Sequence, residues 1–135
     1  MATHAKKIET LRVPLETKPG ALAKVYGAFK EAKVNIIASW GYQMGPDQGQ
    51  AHFYAADTAK AKDVLQKMGL KPVTENACFA EGDDQVGVYA DLLQKISKAG
   101  VNIEATDAIG VHGKFATVLF ADQKNIPALC KALGC

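Results

Sequence analysis

The chain has 135 residues, of which 48% are hydrophobic and 22% charged, a composition typical of one or two small folded domains with a hydrophobic core. The formal net charge is only +2, and Arg12 is the single arginine. This balance is too small for the clustered basic surface of a nucleic-acid-binding protein and disfavours a sequence reader, so the sequence predicts no nucleic-acid partner.

The first half of the chain predicts a strand, a helix, a β-hairpin and a second helix. Alternating apolar residues over 7–16 favour a half-buried strand, and a turn over 17–20 opens the first helix. The elements after that helix are two strands, a helix and an extended segment, over 33–44, 50–56, 59–68 and 71–82. The predicted order is therefore β-α-β-β-α-β.

The second half of the chain repeats the first half. Residues 20–38 align with 87–105 without a gap. The identical pairs are Gly20 and Gly87, Ala23 and Ala90, Ala32 and Ala99, Val34 and Val101, Asn35 and Asn102, Ile36 and Ile103, and Ala38 and Ala105. The repeat predicts a helix at 86–99, a hairpin at 101–121 and a last helix at 123–133. The chain is thus an internal duplication.

The order of elements predicts an α+β fold of two tandem ferredoxin-like βαββαβ units, each an antiparallel sheet with helices on one face. We place the units at 7–77 and 77–135, with the extended segment 71–82 shared between them. The second unit lacks its last strand, because no strand pattern follows the helix at 123–133. An edge left open in this way favours pairing with another chain, and we expect a homodimer.

Short motifs at matching places in the two halves resemble the ACT domain. The first half opens its first helix with Lys18-Pro19-Gly20-Ala21-Leu22 and enters its second strand with Val34-Asn35-Ile36. The second half repeats the latter motif as Val101-Asn102-Ile103 but has Val86 in place of the proline. The resemblance covers nearly the whole chain, with no catalytic domain attached. It implies a free-standing tandem ACT protein, a non-catalytic regulatory module that binds a small effector, usually an amino acid, between paired units.

The resemblance also implies a ligand site at the start of the first helix in each half. Gly20 has no side chain, so a ligand can approach closely, and the helix start offers N–H groups to a carboxylate. The implied site residues are Lys18, Pro19, Gly20, Ala21, Leu22, Asn35 and Ile36, with an opposing wall from Gln85, Val86, Gly87, Val88, Asn102 and Ile103. No catalytic residue and no cofactor is implied.

Other interpretations of the same residues stay open. A Pro-Gly pair before a helix is ordinarily only a turn and a helix start, and Asn35 or Asn102 can serve to cap the bend between helix and strand. The alternative function is a ligand-free structural interaction module, or an accessory subunit of a metabolic enzyme or regulator. An enzyme ranks third, because no nucleophile lies near a base in the sequence.

The three cysteines, Cys78, Cys130 and Cys135, include no Cys-x-x-Cys pair. The pattern predicts neither a disulfide scaffold nor a metal site, and Cys78 and Cys130 are interpreted as small buried apolar residues. No stretch resembles a signal peptide or a membrane span. The sequence therefore predicts a reduced, cytoplasmic, soluble protein with no membrane partner.

Overall fold

The structure is a computed structural model that describes residues 3–135. Six strands, four α-helices and a short 3₁₀ turn make up the described chain. Their bounds are β1 His4–Leu15, α1 Ala21–Glu31, β2 Ile36–Gln43, β3 Gly49–Ala55, α2 Thr58–Lys67, β4 Val73–Asp83, α3 Val88–Lys98, β5 Ala105–Val111, β6 Lys114–Phe120 and α4 Ile126–Leu133. Over the described residues, none of these helices has the length and apolar character needed to cross a membrane.

Packing divides the chain into two compact units. The first unit is Glu9–Glu75, and the second unit combines the residues up to Ile8 with Asn76–Cys135. The long strands β1 and β4 thereby each contribute residues to both units. The repeat boundaries drawn from the sequence, 7–77 and 77–135, stay a prediction.

The first unit has the strand order β2-β3-β1-β4, which is the ferredoxin-like order. Strands β1 and β2 both run antiparallel to β3, with Leu11 opposite Phe53 on one side and Trp40 opposite His52 on the other. Helices α1 and α2 complete the β-α-β-β-α-β pattern of this unit. The predicted α+β class and the tandem ferredoxin-like architecture are confirmed.

Strand β2 begins later than the apolar pattern suggests. It starts at Ile36 rather than at residue 33, because the chain first closes the end of α1. Lys33 adopts a left-handed φ of 59°, and the Val34 N–H donates to Phe29 O at 2.9 Å. A left-handed residue followed by a hydrogen bond back to the last turn is a common way for a helix to end.

The second unit has the strand order β1-β4-β6-β5, with β6 antiparallel to both of its neighbours. No strand follows α4 in the described chain, in agreement with the sequence pattern. The edge is nevertheless not left open, because the β1 residues up to Ile8 belong to this unit, and Ala5 packs against a cluster that includes Ala80 and Phe115. The argument for a dimer from an open edge is therefore wrong, and the homodimer stays a prediction.

The core of the first unit forms between its sheet and its two helices. Val25 and Phe29 lie one turn apart on α1, so both side chains fall on the same face of the helix, and both are buried. Phe29 packs edge-to-face on Phe53 of β3, with ring centroids 5.1 Å apart. Leu65 of α2 joins the same cluster. These side chains fix α1 and α2 against the sheet.

A disulfide between Cys78 and Cys130 lies in the core of the second unit, in a cluster with Ile96, Leu119 and Leu129. The packing of α4 on β4 places the two Cα atoms 6.2 Å apart, within the usual range for disulfides. Both residues are buried as predicted, but their interpretation as reduced, separate apolar residues is wrong. The two cysteines are 52 residues apart in the sequence, and nothing in the sequence pattern indicates that they are in contact. The cytoplasmic location stays a prediction.

Two glycines of the first unit are expected to respond in opposite ways to alanine. A Cβ at Gly49 would lie 2.9 Å from the carbonyl oxygen of Leu15 on the paired strand, so Gly49→Ala should lower the unfolding free energy by about 1–3 kcal/mol. A Cβ at Gly27, within α1, meets nothing within 4 Å, so Gly27→Ala should raise it by about 0.5–1 kcal/mol. Urea denaturation measures both changes, and shifts of the same sign would contradict the described packing.

Candidate functional site

The start of α1 is open because a glycine stands at its N-cap. Gly20 has a φ of 89° and no side chain, and no side chain within residues 3–135 caps this helix. The first helical hydrogen bond runs from Lys24 N–H to Gly20 O at 2.9 Å. The N–H groups of Leu22 and Ala23 therefore precede the helical ladder, at the positive end of the helix dipole.

A cavity of about 730 Å³ opens beside this helix start. Its apolar lining includes Val25, which is buried, and Met68 and Leu70, which are half-buried. Its charged lining is exposed and carries both signs, as Lys24 and Asp47 show. The complete lining is Pro14, Leu15, Glu16, Thr17, Lys18, Pro19, Gly20, Ala21, Lys24, Val25, Asp47, Met68 and Leu70. The cavity thus combines apolar surface with cationic and anionic groups.

Two polar contacts hold the loop between β1 and α1. Lys18 Nζ lies 2.8 Å from Glu16 Oε2, and this hydrogen bond and the attraction of the two charges lower the pKa of Glu16 and raise the pKa of Lys18. Both side chains are exposed, so water weakens this pair. Thr17 Oγ1 donates to Asp47 Oδ1 at 3.2 Å, which ties the loop to the turn between β2 and β3. The second contact therefore brings a carboxylate to the cavity.

The predicted site residues of the first unit fall at the two ends of α1. The cavity is lined by the loop residues 18–21, while Leu22 is exposed and outside the lining. Asn35 and Ile36 follow the other end of this 11-residue helix, about 16 Å from its start at 1.5 Å per residue. The Asn35 carbonyl accepts a hydrogen bond from Ala56 N–H at 2.9 Å. Within the first unit, the structure does not bring these two groups together.

The predicted residues of the second unit are separated in the same way. Gln85, Val86 and Val88 line a recess of about 270 Å³ at the start of α3. Asn102 and Ile103 line a different recess, of about 440 Å³, at the other end of α3. A ligand role for either set, and their role as an opposing wall, stays a prediction.

Several cavity residues were not among the predicted site residues. Lys24 could have been predicted from the sequence, because it lies one helical turn after Gly20 and therefore on the same side of the helix. Asp47 comes from the turn between β2 and β3, and Met68 and Leu70 come from the end of α2. Only tertiary packing brings these last three residues to the loop.

A family model described as an ACT domain pair matches residues 6–126. The match extends over residues of both units and most of the chain. The chain belongs to the ACT domain pair family. The resemblance drawn from the helix opening and the two Val-Asn-Ile motifs is confirmed. A comparison with curated proteins finds no match to this chain.

Solved structures similar to this ACT domain pair share its fold at low sequence identity. A protein from Bacteroides thetaiotaomicron is 20% identical, with a TM-score of 0.82, over 94% of this chain and 88% of that protein. The regulatory subunit of aspartate kinase from Thermus thermophilus, in a ligand-free form, is 16% identical, with a TM-score of 0.71, over 98% of this chain and 95% of the subunit. The corresponding subunit from Thermus flavus is 16% identical, with a TM-score of 0.68 and the same coverage of 98% and 95%.

The two ACT units differ at the start of their first helices. Gly20 and Gly87 have similar φ angles, 89° and 86°, and both are N-caps. The first unit has Pro19 before its glycine, whereas the second has Val86, whose side chain is fully exposed. The cavity of the first unit is about 730 Å³, against about 270 Å³ for the recess of the second. The first unit is therefore the stronger candidate for a ligand site.

Proposed function

We propose that this ACT domain pair is a non-catalytic regulatory protein that binds a free amino acid at the start of α1. The observation that carries the proposal is the uncapped helix start, which opens into a cavity lined by lysine and aspartate side chains. An amino acid carries a carboxylate, an ammonium group and a side chain. The cavity offers a partner of suitable chemistry for each of them.

The ligand carboxylate binds at the helix start. The N–H groups of Leu22 and Ala23 are the donors, and the dipole of α1 favours a negative charge there. Gly20 presents no Cβ, and an added Cβ would point into open space with no atom within 4 Å. Lys24, on the cavity lining, contributes a full positive charge. A carboxylate is the ligand group that matches these donors.

The ligand ammonium group binds Asp47. This carboxylate accepts one hydrogen bond from Thr17, and a carboxylate has the capacity to accept several more. Glu16 is the second anion on the lining, and it pairs with Lys18 at 2.8 Å. Asp47 is the better partner, because an ammonium group at Glu16 competes with that lysine.

The ligand side chain packs on the apolar part of the lining. Leu15, Val25, Met68 and Leu70 supply this surface, and all four are at least half-buried. A cavity of about 730 Å³ lies within the usual size range of small-molecule sites, roughly 300–1,000 Å³. The proposal therefore favours amino acids with apolar side chains over those with charged ones.

The regulated partner in this proposal is an enzyme, with the protein acting as a homodimer in the cytoplasm. Two similar structures carry the name of regulatory subunit of aspartate kinase, which supports an enzyme as the class of partner. The alternative is an accessory subunit that binds its partner without a ligand.

A thermal-shift screen of the twenty amino acids tests the proposal. A ligand at about a hundred times its Kd stabilises the folded state by about 2.7 kcal/mol, which should raise the Tm by roughly 8–13 °C. The matched controls for leucine are 3-methylbutylamine, which lacks the carboxylate, and 4-methylpentanoate, which lacks the ammonium group. We expect an apolar amino acid to raise the Tm and both of its truncated analogues to fail.

The outcome of this screen separates the two candidate functions. If no amino acid changes the Tm, the protein is not an amino-acid sensor, and the ligand-free accessory subunit takes its place. If the truncated analogues stabilise the protein as well as the intact amino acid, the site does not recognise both charged groups, and the proposed site is wrong.

A further inference from the structure

The three cysteines of the chain lie together in the second unit. Cys78 and Cys130 form a buried disulfide, and Cys135 is an exposed free thiol. The three sulfur atoms all lie within 4.8 Å of one another. A disulfide and a thiol at this distance can exchange after a small movement of the side chains.

The end of α4 brings Cys135 against Cys130. Gly134 has a left-handed φ of 88°, and its N–H donates to Lys131 O at 3.2 Å. The Cys135 N–H donates to Cys130 O at 2.9 Å, and the Cys135 Sγ lies 3.3 Å from the same oxygen. These bonds define a Schellman motif, in which the side chains of the C3 and C″ residues, here Cys130 and Cys135, are frequently in contact.

The first unit has the same motif with leucines in the corresponding places. At the end of α2, Gly69 has a φ of 84°, and the Leu70 N–H donates to Leu65 O at 3.1 Å. Both leucines pack in one cluster with Leu11, which lies opposite Phe53 in the sheet. In the second unit Cys78 lies opposite Leu119 and packs with Cys130.

The cysteines of the second unit thus occupy the places of three leucines in the first unit. The pairs are Leu11 and Cys78, Leu65 and Cys130, and Leu70 and Cys135. The chemistry that the three cysteines share, and that leucine lacks, is the making and breaking of disulfides.

We propose that Cys78, Cys130 and Cys135 form a thiol–disulfide exchange site. The Cys135 thiolate attacks the Cys130 sulfur, a Cys130–Cys135 disulfide forms, and the Cys78–Cys130 bond breaks. Cys78 leaves as a thiolate and takes up the proton that Cys135 gave up. The exchange moves the disulfide within the cluster and needs no external oxidant.

The reductant class that fits this site is a small dithiol. In the buried Cys78–Cys130 form, both sulfurs belong to residues at most 6% exposed, whereas Cys135 is exposed. Exchange therefore presents the disulfide to solvent. A dithiol then reduces the Cys130–Cys135 bond to two thiols and is itself oxidised to a cyclic disulfide. Dithiothreitol should accordingly reduce the wild type several-fold faster than the Cys135→Ser variant.

Peptide mapping tests the exchange directly. Trypsin cuts after Lys95, Lys124 and Lys131, so each cysteine falls in a separate peptide. The oxidised wild type is equilibrated without reductant, its free thiols are alkylated in acid-quenched denaturant, and the linked peptides are identified by mass. We expect two links, Cys78–Cys130 and Cys130–Cys135. Finding Cys78–Cys130 alone, with alkylation only on Cys135, would overturn the proposal.

Two glycine variants separate exchange from a general loss of structure. Gly134→Ala strains the left-handed turn that presents Cys135, so the fraction of the Cys130–Cys135 link should fall roughly fivefold. Gly69→Ala imposes the same strain at the end of α2 and should leave the fraction unchanged. Equal effects of the two variants would overturn the role assigned to the α4 turn. The Cys78→Ser variant, oxidised with glutathione disulfide, should form Cys130–Cys135, and two alkylatable thiols there would also overturn the proposal.

Discussion

Gly20→Val is expected to weaken amino-acid binding by a hundredfold or more. The valine side chain would project into the space through which the ligand carboxylate reaches the N–H groups of Leu22 and Ala23. Hydrogen bonds to a charged group contribute about 1.5–3 kcal/mol each, so the loss of two amounts to at least a hundredfold in Kd. Calorimetric titration with the amino acid that gives the largest thermal shift measures the change.

The strain of a side chain at a positive φ must be separated from the loss of binding. Gly20 has a φ of 89°, so any other residue there costs about 1–2 kcal/mol of stability. Gly113→Val, with a φ of 78° and no atom within 4 Å of its added Cβ, imposes a comparable strain in the turn between β5 and β6, outside the cavity lining. It should lower the stability equally and leave the Kd unchanged. A folded Gly20→Val variant with the wild-type Kd would show that the ligand binds elsewhere.

Phe53→Ala is expected to lower the free energy of unfolding by about 3–5 kcal/mol. The Phe53 side chain is fully buried, and its ring contacts Phe29 and Tyr26 of α1 at centroid distances of 5.1 and 5.7 Å. Removing the ring leaves a cavity between the sheet and α1, the helix whose start borders the proposed site. Urea denaturation, followed by far-UV circular dichroism, measures the loss.

Phe53→Leu is the matched control, because it keeps most of the apolar volume and should cost less than about 1.5 kcal/mol. The difference between the two variants reports the size of the cavity rather than the change of residue type. If the alanine variant unfolds at the same urea concentration as the leucine variant, Phe53 does not hold α1 against the sheet.

The fold could be predicted because the chain repeats its own pattern. Two glycines at matching helix starts and two Val-Asn-Ile segments at matching strand entries set the order of elements in both halves. The alternation over 7–16 also predicted a strand correctly. It could not assign the residues up to Ile8 to the second unit, because alternation reports which residues face a core and not which strand lies alongside.

The candidate site was only partly accessible from the sequence. The loop residues 18–21 line the cavity. They could be predicted because a glycine N-cap leaves the start of a helix uncapped, however that helix packs on the rest of the protein. Asp47 and Met68 lie far from this loop in the sequence, and their place on the lining depends on how β3 and α2 pack. The contact between Cys78 and Cys130 was hidden for the same reason, since it needs α4 to lie against β4.

The most direct test of amino-acid binding at α1 is an NMR titration of the nitrogen-15-labelled protein with each apolar amino acid. Binding at the helix start should give saturable shifts of the Leu22 and Ala23 amide resonances, with the resonances of α4 unchanged. If these two amides do not shift at any concentration up to about 10 mM, well above the millimolar Kd of a weak ligand, no apolar amino acid binds at the start of α1.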